Sequence, residues 1–310
     1  MPIASATPRR HLSRTLAPQR PPAHLHGRRL SGLLADLPSL LFLALVAGNV
    51  AAISLATNPW LLGALTVLQA ALVLGCQEAK HLCVHRSFLV GSRVANDAVG
   101  MLCAALFGVN FHAYRHFHFQ HHRATCTEDD PEGHLYGKSI GSRVIWLLAP
   151  LELGWVAYHI NRKAWSLVPA SHRRERNAGL LFVMAFAALM GVLALRHPHT
   201  FLYGYVLPMV LYSWFDFLLT QAEHYGVPVV RAGHRRDPGA VTKDVQLPAW
   251  LSWLTLHRSL HRVHHLHPGL RWFVAPAQMV RDGSVPITYR DVVRRWMKEG
   301  PRLWLQRPGG

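Results

Sequence analysis

LPSLLFLALVAGNVAAISLA, residues 37–56, decides what kind of protein this is. The stretch carries no charge and has roughly the 20 residues that a helix needs to cross a bilayer core. TNP follows, and then WLLGALTVLQAALVLGC, residues 60–76. Two spans joined by so short a loop form a helical hairpin with both outer ends on one side. A second hairpin reads the same way: AGLLFVMAFAALMGVLAL (178–195), the loop RHPHT, and FLYGYVLPMVLYSWFDFLL (201–219). Pro208 predicts a kink in that last helix. Asp216 is costly in lipid, which predicts a side chain turned toward protein. Between the hairpins, 98–109 and 144–157 are too short to span and read as interfacial or re-entrant helices. VIWLLAPLELGWVA, in the second of these, has tryptophan near both ends, as interfacial segments do.

The composition agrees. Half the residues are hydrophobic and 16% are charged, against about 25% in ordinary soluble domains, yet the net charge is +17. That combination fits a membrane protein with basic cytoplasmic faces or a nucleic-acid binder. The spans favour the first, and no nucleic-acid motif supports the second. Residues 1–35 hold six arginines and no acid, which predicts a basic arm without fixed structure. GRRLSGLLADL before an apolar run resembles a twin-arginine export signal, but the immediate second span argues for a retained hairpin. Basic residues crowd the arm, the middle segment and the C-terminal tail, so the positive-inside rule predicts that all three are cytoplasmic. The expected organisation is the arm 1–35, a membrane domain 36–285 and a basic tail 286–310. Cys76, Cys83, Cys103 and Cys126 form no CxxC pair, so neither a zinc ribbon nor a disulfide framework is expected.

Histidine carries the chemistry. His81 and His85 lie four apart at the cytoplasmic end of the second span, on one face of a continuing helix. FHAYRHFHFQHHRATCTEDDPE, residues 111–132, places His118, His121 and His122 at i, i+3 and i+4. His261, His264 and His265 repeat that spacing, and His224 follows the fourth span. All map to one side of the membrane and can converge. Nine imidazoles exceed the needs of one ion and suit two. Imidazole is a ligand for Zn, Cu, Fe and Ni, but a four-coordinate zinc would leave most of them unused. Two redox-active irons account for the set better. His112 and His116 lie off the shared face and read as interfacial or supporting residues. His24, His26, His134, His197, His199 and His234 read as surface or loop.

The arrangement resembles the membrane fatty acid desaturase superfamily, which includes related hydroxylases and carotenoid ketolases. The residues that carry the likeness are HLCVH (81–85), YRHFHFQHHRATCTEDDPE (114–132), QAEHYG (221–226) and HRVHHLHP (261–268), within a span of residues 36–285. The resemblance implies a cytoplasmic di-iron cap with His81, His85, His118, His121, His122, His224, His261, His264 and His265 as ligands. It makes Asp130, Glu132 and Glu223 candidates to orient those ligands. Two features depart from the family. His257 stands where related acyl desaturases often carry asparagine, and it could ligate, hold a metal-bound water or pack. The first box is the short form, preceded by an unusual QEAK.

The expected protein is an all-α integral membrane enzyme with four transmembrane helices in two hairpins, interfacial helices and a histidine-rich di-iron cap. An unactivated C–H bond is beyond acid–base side chains, so the reaction calls for iron and O2. Desaturation of a lipid or fatty acyl chain comes first. Hydroxylation or ketolation of a lipid, alkane or carotenoid is the alternative. A histidine-rich metal transporter is a remote third, because only Asp216 lies at membrane depth. The chain shows no iron–sulfur, haem or nucleotide motif, so a separate donor such as a ferredoxin is expected. The basic face would suit an acidic donor and anionic headgroups.

Overall fold

The computed structural model describes residues 32–133, 145–224, 226–233 and 237–299. Most of the basic arm, His134, His234 and the end of the tail lie outside them. The first long helices are α1 (Leu37–Leu55), α2 (Pro59–Val84), α3 (Arg93–Leu106) and α4 (Phe111–Ala124). They are followed by α5 (Ala149–Leu167), α6 (Arg173–Arg196) and α7 (Leu207–Glu223). Short helices α8 (Ala249–Leu254), α9 (His261–Leu266) and α10 (Ala275–Arg281) lead to α11 (Tyr289–Glu299). A two-residue parallel ladder pairs β1 (Val245–Gln246) with β2 (Ile287–Thr288).

Four helical stretches are long and apolar enough to cross a membrane: Leu37–Leu55, Pro59–Val84, Ala170–Arg196 and Pro198–Thr220. They differ in place. Half of the most apolar window of α2 is buried, against 6% for the stretch containing α6, so α2 is the central helix and α6 a peripheral one. Leu55, Trp60, Leu181 and Leu195 point outward, an apolar surface that water would not tolerate but a bilayer would.

Local sequence explains the breaks. Asn58 caps α2, its side chain accepting from the backbone N–H groups of Trp60 and Leu61, and Pro59 fits the first turn. Ser92 and Asn110 cap α3 and α4 in the same way. Between those two helices the chain turns by 91°. Gly108 takes φ +66 there, and Asn161 clamps the turn by accepting from Asn110 N (2.9 Å) and donating to Gly108 O (2.8 Å). This sharp break lies in the stretch expected to be interfacial or re-entrant, and it swings the histidines of α4 across the end of α2. The kink expected at Pro208 takes the form of a π-helical turn at Leu202–Val206, one turn ahead of it. A proline there has no N–H for the carbonyl four residues back, and the widened turn accommodates the loss.

The core is packed closely around α2. A Cβ on Gly75 would lie 2.4 Å from the Leu254 carbonyl and 2.6 Å from the Phe42 ring, so only glycine lets α1 and α8 approach. Residues 287–299, read from sequence as part of a tail, belong to the fold. Val292 and Trp296 of α11 are buried, and the Trp296 ring meets Phe217 of α7 edge-on.

Candidate metal centre

The second apolar helix does not end at Cys76. α2 continues through His81 to Val84, and His85 caps it. α4 supplies His118, His121 and His122, the C-terminal cap of α7 is His224, and α9 supplies His261, His264 and His265. All nine come together in two groups. His81, His85, His118, His122 and His264 form one, and His121, His224, His261 and His265 the other, with the ligand atoms of each group within 4.8 Å of one another. His257 lies in neither. Its Nδ1 is 2.7 Å from the Ser252 hydroxyl and its ring 5.8 Å from Trp272. His112 and His116 also lie outside both groups; the His116 ring sits 5.4 Å from His172.

The rings are aimed. His118 Nε2 lies 3.0 Å from His85 Nε2 and 2.8 Å from His122 Nε2, and His122 Nε2 lies 3.1 Å from His264 Nε2. In the second group, His121 and His265 approach at 3.3 Å and His224 and His261 at 3.2 Å, again through Nε2. The opposite nitrogens are held from behind. Glu78 accepts from His81 Nδ1 at 3.0 Å, Glu132 from His118 Nδ1 at 3.2 Å, Asp130 from His121 Nδ1 at 2.9 Å and the Val241 carbonyl from His224 Nδ1 at 3.0 Å. An Nδ1–H given to an acceptor leaves the lone pair on Nε2. Lone pairs converging at such distances repel unless a cation sits among them. His81 Nε2 is buried with no hydrogen-bond partner in the protein. Burial pushes His224 down to about 4 and His261, His264 and His265 well below the ordinary imidazole range, favouring the neutral form that a metal ligand needs. At His121 burial is outweighed by the Asp130 and Glu132 carboxylates, which raise it to about 9, so a metal must displace a proton there. The donor set fits two nitrogen-rich metal ions.

Of the three carboxylates expected to orient ligands, Asp130 is the most committed. It holds His121 and also accepts from the N–H groups of Cys126 and Glu132, both at 2.9 Å. Glu223 is more remote from its histidine, 3.9 Å from His261 Nδ1, and shares Arg258 with Asp216. Burial raises its carboxyl to about 7 against the opposing pull of Arg258. Glu78 was not among the expected residues, although its position three before His81 on one helix was the available signal. Arg258 was missed too. Leu256 and His257 both adopt the left-handed region, at φ +53 and +57, and this costly turn directs Arg258 inward to Asp216 (3.1 Å). Asp216 is thereby turned to protein.

Above the histidines lies a cavity of about 540 Å3. His81, His118, His224 and His261 line one end, and its walls are largely apolar, with Phe107, Leu153, Ile160, Val206, Met209 and Phe217 among them. A model of the family described as "Fatty acid desaturase" matches residues 58–286. A search among curated proteins finds no match. With both histidine groups inside the matched segment, the chain belongs to the fatty acid desaturase family of membrane lipid oxidoreductases of the di-iron type.

Proposed function

We propose that this protein introduces a double bond into the acyl chain of a lipid or fatty acyl substrate, using two iron ions and O2. The observation that carries the reading is the meeting of the two histidine groups with an apolar cavity. His81, His85, His118, His122 and His264 would hold one iron, and His121, His224, His261 and His265 the other. Bound iron with O2 supplies the oxidising power for an unactivated C–H bond.

The rest of the work belongs to the chain. The walls of α5 and α7 exclude water and hold an alkyl segment against the histidine end, so that two adjacent carbons are presented together. Asp130, Glu132 and Glu78 fix the imidazole orientations. In balance, the substrate gives up two hydrogens, O2 takes these, two further electrons and two protons, and two waters result. Those electrons come from a separate donor of ferredoxin type docking on the cytoplasmic face, where both termini also lie. Hydroxylation at the same carbons is the alternative outcome, and placement of the alkyl segment separates the two.

Metal analysis of the detergent-purified protein, followed by turnover of labelled acyl lipids with a ferredoxin and its reductase, tests the reading. About two irons per chain and an alkene product are expected. An alcohol product moves the assignment to a hydroxylase. Zinc alone, at about one per chain, overturns it.

A further inference from the structure

The cavity wall carries two cations, Lys80 and Arg258, and four carboxylates. Each carboxylate is committed: Glu78 to His81, Glu132 to His118, and Asp216 and Glu223 to Arg258. Lys80 is left over. It is 1% exposed, and its Nζ donates to Gln77 Oε1 at 2.9 Å. Otherwise the ammonium rests on aromatic faces, 4.0 Å from the Tyr114 centroid and 5.7 Å from that of Phe107. An ammonium has three donors; Glu132, Asp216 and Glu78 attract this one through space, but among the described residues none is in ion-pair contact with it. Packing gives no reason for it, since Ala79, Leu82 and Leu72 fill neighbouring buried positions of the same helix.

We propose that Lys80 anchors the carboxylate of a substrate that enters this cavity as a free acid, an assignment that rests on the cavity being the substrate site. A carboxylate completes the ammonium's donors and gives it a direct ion-pair partner without breaking any existing ion pair. Thioesters and glycerolipid esters offer only a neutral carbonyl. A phosphate head would ask for more donors than one ammonium provides. The Tyr114 ring stacks on His118 with centroids 5.7 Å apart, so the ammonium lies within about 10 Å of that ligand. The carbons presented for oxidation are therefore those nearer the carboxyl end.

The test is a binding measurement. The full-length protein, with the metal it holds on isolation, is placed in neutral-lipid nanodiscs. It is titrated calorimetrically with octanoate, dodecanoate and hexadecanoate, then with their methyl esters, their coenzyme A thioesters and dodecyl phosphate. At least one free acid should bind about tenfold or more tightly than its ester and thioester. That preference should vanish in Lys80→Met and survive in Lys80→Arg. Esters or thioesters binding as tightly as acids, failure of all three acids to bind, or an undiminished preference in Lys80→Met would overturn the proposal. Tighter binding of dodecyl phosphate than of dodecanoate would overturn the carboxylate assignment. The wild-type comparison stands even if a variant does not fold. Failure of the oxidative reading has its own signature, a protein without iron or without oxidised product in which the acid preference persists.

Discussion

The five-histidine group and the four-histidine group are built from overlapping elements, yet they are held differently. Every member of the four-histidine group is buried, whereas His85, His122 and His264 of the other are half-buried. Each group gives two rings to the cavity of about 540 Å3. Only the five-histidine group also faces a second cavity of about 760 Å3, where His85 and His122 lie beside Arg123 and Asp129. The supporting carboxylates follow this division only in part: the Asp130 side chain is 0% exposed behind His121 and that of Glu132 17% exposed behind His118, but Glu78, behind His81 of the five-histidine group, is 6% exposed. The four-histidine group is thus the more enclosed site, and the five-histidine group the more open one.

Breaking the closed site should have the largest effect. His121→Ala with His265→Ala removes half of its ligands, and the purified protein should lose one of about two irons per chain together with all turnover. Retention of both irons would mean that the groups are not two sites. Next in size is the contrast between supports. Asp130→Asn should weaken metal binding by about 10–100-fold and cost about 1–3 kcal/mol of stability, because it disturbs His121 and two backbone donors, one of them buried, at once. Glu132→Gln should do less by both measures. Metal titration and thermal melts compare them, and a larger loss in Glu132→Gln would reverse the ordering of the two groups. Smaller again is a kinetic difference in the unaltered protein: chelator should remove iron in two phases, the faster from the open group. A single phase would erase the distinction.

How much of this the sequence announced depends on the range of the signal. The spans and eight of the nine histidines were legible because each rests on local spacing: uninterrupted apolar runs for α1 and α2, an i, i+4 pair at the end of α2, and i, i+3, i+4 repeats for α4 and α9. His224 stands alone and was reached by its place after the fourth span and by the family resemblance. The division of the nine into five and four was not, because neighbours on one helix part company. His121 and His122 go to different groups, as do His264 and His265, and only tertiary packing decides which. Glu78 carried one local signal, its place three residues before His81, but inside an apolar helix that signal gains its meaning only once His81 is placed. Arg258 was hidden by backbone, since two successive left-handed residues are what turn it inward. The role of Val241 had no side-chain signal at all, because it serves His224 through its carbonyl.

His257 supplies the control for the comparison, being a shielded histidine outside both groups. Burial pushes it from 6.5 down to about 4. The unfolded chain therefore takes up this proton first as pH falls, and the native state loses stability relative to it. The contribution is flat above about 6.5, declines between there and about 4, and levels off below. In the two groups, bound metal would hold the imidazoles against protonation, so in metal-loaded protein part of the decline in this window belongs to His257. His257→Asn is the suitable variant because asparagine tolerates the φ of +57 found here. It should leave iron content unchanged and flatten the fall of melting temperature between pH 6.5 and 4. An unchanged slope would place the acid sensitivity in the ligand groups themselves. The order in which iron leaves the two groups as pH falls would then show whether the open one yields first.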